Sequence, residues 1–217
     1  EAAADSGYRA HLGASLIGTE CERAIWYSFR WATRARHTGR LLRLFDTGNL
    51  AEARFVADLR RIGVTVLDLD PATGRQWNLR DASGHFGGSM DAVAIGLTEA
   101  PTTWHVCEFK THSAKSFAKL KAEGVGASKP LHWAQMQAYM QLAGLDRAFY
   151  LAVCKDTDEL YQERIRYDAE SGLRILAKAE RIIGAARPPA RISQDPAWWQ
   201  CRFCDHHAVC HAGAAPE

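Results

Sequence analysis

The cysteines constrain this chain more than any other feature. Three sit together near its end as Cys201-x2-Cys204-x5-Cys210, and Cys21 stands apart near the start. Two thiolates so spaced share one metal on a turn, and further ligands close the site. His206, His207 and His211 are local candidates for the fourth place, which would make a zinc knuckle. Cys21 is the distant candidate, and it would join the two ends of the chain. Four thiolates suit an iron–sulfur cluster, and a four-cysteine zinc site has the same count. Four unligated cysteines are the plainer alternative. A redox pair needs only two thiols, so the three-plus-one frame fits ligation better. Thr19-Glu20-Cys21-Glu22 reads as a capping box with Thr19 as N-cap. That places Cys21 in a first helical turn, where the dipole favours a thiolate. Cys107 and Cys154 lie in apolar runs and read as small residues of buried strands.

The 217 residues are 47% apolar and 24% charged, enough for a real core in one generous domain. A disordered tail, a collagen-like fibre and a disulfide miniprotein are excluded. No apolar run reaches the roughly 18–20 residues of a membrane span. Glu1 to Asp5 has neither the basic start nor the apolar stretch of a signal peptide, and no Met, so a trimmed chain is expected. The net charge of +2 does not announce a nucleic-acid binder. Arg30, Arg34, Arg36, Arg40 and Arg43 do form an acid-free basic run, first read as a solvated face and second as a track for phosphates.

The periodicity predicts a helix over 15–36, a turn at Asp46-Thr47-Gly48-Asn49, and a second helix over 50–62 stopped by Gly63. Strands are expected over 64–69, 75–80, 84–95 and 103–110. The Gly87-Gly88 pair suggests a bulge or a close backbone approach. A helix over 130–142 ends at Gly144. Strands over 148–154 and 160–167 and a helix over 170–186 follow. The order gives an α/β fold, one mixed sheet flanked by helices, in a single domain.

Three carboxylates fall in line. Glu52 is on the early helix, Asp91 follows the glycine pair, and Glu108-Phe109-Lys110 lies on a strand. Side chains alternate along a strand, so Glu108 and Lys110 share a face with Val106, while Cys107 and Phe109 face the opposite core. A carboxylate and an ammonium on a central strand are costly to bury without a partner. If the 84–95 and 103–110 strands pair as a hairpin, Asp91 approaches Glu108. Converging carboxylates repel, and a hard divalent cation with oxygen ligands relieves that repulsion. A solvent-facing ion pair is the plainer reading. Gln135 and Tyr139, four apart on a helix, share a face and can touch a phosphate.

Gly88-Ser89-Met90-Asp91, Glu108-Phe109-Lys110 and Gln135-x3-Tyr139 together resemble the PD-(D/E)XK nuclease superfamily, and within it the RecB-like branch. The cysteine frame is similar to that of its iron–sulfur members, such as the AddB nuclease domain and the nucleases of CRISPR adaptation. The motifs span about residues 15–210. The resemblance implies a restriction-endonuclease-like domain with a cysteine-bearing segment over 15–45, a core over 46–186 and a cysteine-rich tail over 187–217. It implies a structural [4Fe–4S] cluster on Cys21, Cys201, Cys204 and Cys210. It implies Mg²⁺ or Mn²⁺ held by Asp91, Glu108 and the Phe109 carbonyl, with Lys110 positioning water and Gln135 and Tyr139 beside the DNA. Many RecB-like nucleases carry a metal-binding His on the early helix. Here Glu52 stands at that place, as in viral recombination exonucleases, with His11 as an outside candidate. The implied activity is hydrolysis of DNA, more as an exonuclease than an endonuclease, by a bacterial or phage-encoded protein in the cytoplasm. The implied partners are DNA, as single strands or duplex ends, and a recombination or CRISPR-type complex, with no membrane. The alternative is a non-catalytic nucleic-acid-binding or assembly subunit with a zinc knuckle.

Overall fold

The computed structural model describes residues 9–33 and 37–212. In chain order the elements are β1 (Leu12–Gly13), α1 (Glu22–Phe29), α2 (Gly39–Arg61), β2 (Thr65–Leu67), β3 (Leu69–Asp70), β4 (Arg75–Gln76), β5 (Asn78–Arg80), β6 (Phe86–Ser89) and β7 (Ala92–Ile95). There follow β8 (His105–His112), α3 (Ala114–Ser128), α4 (Pro130–Ala143), β9 (Arg147–Cys154), β10 (Leu160–Arg166), α5 (Ala169–Gly184), α6 (Trp199–Arg202) and α7 (His207–Cys210). The central sheet runs β10-β9-β8-β7-β2, with β8 and β9 parallel and every other pair antiparallel. A smaller sheet, β1-β6-β5, and the β3–β4 hairpin lie beside it.

The sheet buries both faces. Cys107 and Phe109 of β8 pack on one side with Phe55, Val56 and Leu59 of α2. Val106 faces the other side, where Phe117 of α3, Met136 and Met140 of α4, and Ile182 of α5 close over it. The expected α/β architecture is therefore present, and β8 is its spine. Charged residues on such a strand are held rigidly, because parallel pairing to β9 and antiparallel pairing to β7 leave it no edge.

Several local expectations give way. The turn at 46–49 does not form, because α2 is one helix. Thr38 caps it by accepting from the Leu41 N–H at 3.3 Å, and the Thr47 hydroxyl donates to the Arg43 carbonyl at 2.9 Å instead of turning the chain. Gly63, with φ +91°, follows this helix as expected. The capping box also fails. The carbonyls of Ile17 and Thr19 are held by Lys178 Nζ at 2.8 and 2.7 Å, so α1 starts at Glu22 with Cys21 as its N-cap residue. The long strand over 84–95 is cut at Met90-Asp91 into β6 and β7. Helix α3 was not expected at all. It kinks at Gly124, φ +73°, where Glu163 accepts from the Val125 N–H at 2.8 Å. Of the basic run, Arg34 and Arg36 lie outside the described residues. Arg30 is spent on the Ile183 and Ala185 carbonyls, which leaves Arg40 and Arg43 exposed on α2.

The tail is fastened to the start of the chain. Arg23 reaches the Pro189 carbonyl at 2.8 Å, Trp26 the Ala185 carbonyl at 2.8 Å, and Gln200 the Glu20 carboxylate at 2.8 Å. Among the described residues, no helix is long and apolar enough to cross a membrane.

Candidate active site

The break between β6 and β7 creates the site. Ala92 of β7 pairs with Cys107 of β8, so Asp91 stands at the next step, opposite Glu108. Freed from the ladder, Asp91 turns its carboxylate back and accepts the Phe109 N–H at 2.8 Å. Glu108 is wholly buried, 0% exposed, and neither of its oxygens accepts a well-formed hydrogen bond. Lys110 Nζ lies 2.5 Å from Glu108 Oε1 and donates to the Phe109 carbonyl at 3.0 Å. Glu52 comes in from α2, one turn before Phe55, whose ring packs on Phe109 at 5.4 Å. Glu52 and Lys110 line one cleft of about 360 Å³ with Phe45, Gly48 and Phe109. Gly48 costs helix stability, yet having no side chain it keeps this wall of the cleft open.

The electrostatics follow from burial and crowding. Burial, with the Asp91 charge behind it, pushes the Glu52 carboxyl up to about 7. Burial also lifts Glu108 to about 7, against the pull of Lys110. Asp91 is raised by burial despite Lys110 and the Phe109 N–H. Burial opposes the charge on Lys110, but Glu108 and Asp91 outweigh it and hold its pKa above the ordinary value. Three carboxyls reluctant to ionise together, with the buried Glu108 Oε2 unpartnered, form a donor set that a hard divalent cation fits. His11 does not share this setting. Burial, then Arg80 and Arg9, lower its pKa to about 4, and among the described residues no carboxylate is one of the charges acting on it.

Helix α4 covers the same face of β8. Its Tyr139 is 2% exposed and donates to the Ser89 carbonyl at 2.7 Å, while Gln135 Nε2 donates to Tyr139 Oη at 3.3 Å. The glycine pair makes this possible. A Cβ on Gly88 would sit 2.6 Å from the Tyr139 hydroxyl, and one on Gly87 1.9 Å from the Leu79 carbonyl. The close backbone approach expected from Gly87-Gly88 is real. Tyr139 thus ties the strand end that precedes Asp91 to α4. Sequence reasoning missed His112, His132 and Tyr150, which cluster beside these residues. The signal for His112 was its place two residues past Lys110, on the same strand face.

The model of the PD-(D/E)XK nuclease superfamily matches residues 5–211. The chain belongs to this superfamily. Solved structures share its fold at low identity. An alkaline exonuclease from Laribacter hongkongensis, LHK-Exo, also solved with dAMP, superposes with a TM-score of 0.54 at 16% identity, over 80% of this chain and 86% of its own. The phage related exonuclease from Haemophilus somnus 129PT gives 0.56 at 13%, over 81% and 92%. SSO0001 gives 0.55 at 14%, over 95% and 89%. No curated protein matches the sequence.

A second cavity in this superfamily member, of about 480 Å³, brings together Cys21, Cys201, Cys204 and Cys210. All four are free thiols. Burial first, then their mutual charges, raise the pKa of Cys201; the same two causes raise Cys204. The His206 N–H donates to Cys204 Sγ at 3.4 Å. Crowded thiols with an N–H aimed at sulfur fit a thiolate-bound metal centre. Of the three histidines, His206 has both ring nitrogens engaged, by Ser28 and Thr33 at 2.7 Å each. His207 Nε2 meets the Pro196 carbonyl at 3.2 Å. His211 is buried, and among the described residues neither of its nitrogens has a partner. Among the described residues, no three His, Cys, Asp or Glu side chains already stand at coordination spacing, in this cavity or at the carboxylates.

Proposed function

We propose that this chain is a divalent-cation-dependent DNA nuclease, acting as an exonuclease in a bacterial or phage-infected cytoplasm. One observation carries the reading: the fully buried Glu108, whose carboxylate meets only Lys110 and has Oε2 without a partner, beside Asp91. Glu52, Asp91, Glu108 and the Phe109 carbonyl would hold Mg²⁺ or Mn²⁺. When bound, such an ion polarises the phosphate and lowers the pKa of water. Lys110 stays protonated, orients the attacking water and stabilises charge that builds on the phosphate. Gln135, on α4 over the same face, would donate to the DNA backbone. Tyr139 acts through Ser89, as the strut that positions Asp91. The whole of 1–217 then works as one nuclease unit with a cysteine-bearing start and tail. Its partner, where it has one beyond DNA, is a recombination or CRISPR-type complex.

Exonuclease action is supported by the names of two fold neighbours, an alkaline exonuclease and a phage related exonuclease. Linear and closed-circular duplexes test it with Mn²⁺. Loss of the linear form alone supports an exonuclease, and nicking of the circle refutes one.

The four cysteines would hold a [4Fe–4S] cluster that secures the tail against α1, in line with the RecB-like branch. One observation favours a second reading: His211, buried and unpartnered in the same cavity, could complete a three-cysteine zinc site. A non-catalytic binding subunit with a zinc knuckle would carry such a site. Metal analysis of anaerobically purified protein separates them. Brown protein with about four irons per chain supports the cluster, and colourless protein with one zinc supports His211.

A further inference from the structure

On the face of β8 that carries Glu108 and Lys110, a chain of hydrogen bonds runs to α4. Lys129 Nζ donates to Ser116 Oγ at 2.8 Å, and Ser116 Oγ lies 3.2 Å from His112 Nδ1. His112 Nε2 lies 2.8 Å from Tyr150 Oη, and Tyr150 Oη lies 2.9 Å from His132 Nδ1. The three rings stack, with centroids 5.8 to 6.4 Å apart. Tyr150 is fully buried and pairs in register with Glu108 across the β8–β9 ladder.

One arrangement hands a proton along the whole of this chain. An ammonium only donates, so Ser116 accepts from Lys129 and has its own proton to give to His112 Nδ1. His112 then carries hydrogen on Nε2 and donates to Tyr150. A tyrosine hydroxyl has one proton, and that of Tyr150 goes to His132 Nδ1. In this arrangement His132 is the Nε2–H tautomer. Its Nε2 has no partner among the described residues and is not among the buried atoms. His132 shares its helix face with Gln135 and Tyr139, three and seven residues on. Burial first, and the nearby Lys110 charge next, hold its pKa down to about 3, so the ring is a neutral donor.

We infer that His132 is a further substrate-contacting residue, whose Nε2–H donates to a phosphate oxygen of the DNA strand beside Lys110. Lys129, Ser116, His112 and Tyr150 are positioning residues that fix its tautomer. A neutral, preset donor suits this place, because it binds phosphate without repelling the cation that the carboxylates gather. The inference rests on the nuclease reading.

The test uses the full chain in two arms. Long-range proton–nitrogen NMR on ¹⁵N-histidine protein reads the tautomer of His132 directly. The Nε2–H form is expected, and an Nδ1–H ring or an imidazolium near neutral pH overturns the inference. The second arm compares Mn²⁺-dependent DNA cleavage by the wild type, His132→Gln and His132→Phe. Gln keeps a donor near the Nε2 position and Phe keeps only the ring. His132→Phe should lose roughly 10- to 150-fold in kcat/KM, the range for a hydrogen bond to a charged group, while His132→Gln recovers most of it. Two variants as active as the wild type overturn the inference. So do two variants equally impaired, since the ring would then serve packing. A wild type that cuts no DNA with Mn²⁺ instead defeats the nuclease reading, and the inference falls with it.

Discussion

The carboxylates make metal binding and proton binding compete, and the size of the effect can be worked out. Glu52 and Glu108 both sit at about 7 when no cation is present. A cation needs each of them ionised, so each displaced proton makes affinity rise about tenfold between about pH 6 and 8. Two such groups give about a hundredfold. Glu52 is half-buried, and solvent screening discounts its share, so the expected rise is about thirtyfold, or about 2 kcal/mol. At saturating Mn²⁺ the gap in melting temperature between loaded and metal-free protein widens by about 4–8 °C over the same range. The widening comes from the metal-free side. A carboxyl whose folded pKa is raised contributes stability that is fully present below its ordinary value and is lost as pH rises through about 7. The metal-free protein should therefore melt lower at pH 8 than at pH 6, while the Mn²⁺-loaded protein, whose carboxylates are ionised throughout, stays nearly level. Glu52→Gln should leave only the Glu108 contribution, about a tenfold rise. Calorimetric Mn²⁺ titrations and melting curves at three pH values measure all of this. An affinity that stays flat across the range, or one that Glu52→Gln leaves unchanged, refutes the reasoning.

Lys110→Ala should abolish cleavage in a Mn²⁺ assay while DNA still binds, as read by fluorescence anisotropy. Tyr139→Phe leaves the Ser89 carbonyl without its donor and should cost about 1–2 kcal/mol in urea unfolding, with kcat falling as Asp91 loosens. Gly87→Ala forces a methyl against the Leu79 carbonyl and should destabilise by about 3 kcal/mol or more, or prevent folding, by the same measurement. Cys201→Ser should strip iron from the purified protein and lower its melting temperature, with the Mn²⁺ affinity of the carboxylates unchanged.

Strand alternation was the most legible part of this chain. A period of two is hard to mistake, so the placing of Val106, Glu108 and Lys110 on one face and Cys107 and Phe109 on the other follows from their order alone. Gly144, in the left-handed region at φ +65°, ends α4 where its type and position predict. Local chemistry misled where a distant residue decided. Thr19 looks like an N-cap, but Lys178, far along the chain, takes the carbonyls around it. Asp46-Thr47-Gly48-Asn49 has turn composition, yet Thr47 bonds back within the helix, and Phe55, Val56 and Leu59 hold α2 on the sheet. Helix α3 was hidden by Gly124 and Gly126, whose poor propensity is offset by the Glu163 carboxylate from β10. The Asp91–Glu108 approach was legible as a hairpin. The break at Met90-Asp91 that turns Asp91 onto the Phe109 N–H was not, since nothing local demands it. The His112–Tyr150–His132 relay joins three elements and has no spacing signature.

The central claim is that Asp91, Glu108 and Lys110 make this fold a working nuclease. The most direct measurement follows an end-labelled linear duplex with Mn²⁺, using the wild type and Asp91→Ala side by side. The account predicts that the wild type degrades the DNA, that EDTA stops it, and that Asp91→Ala leaves the DNA intact although the variant is folded. DNA that survives the wild type, or is cut equally well by Asp91→Ala, contradicts it.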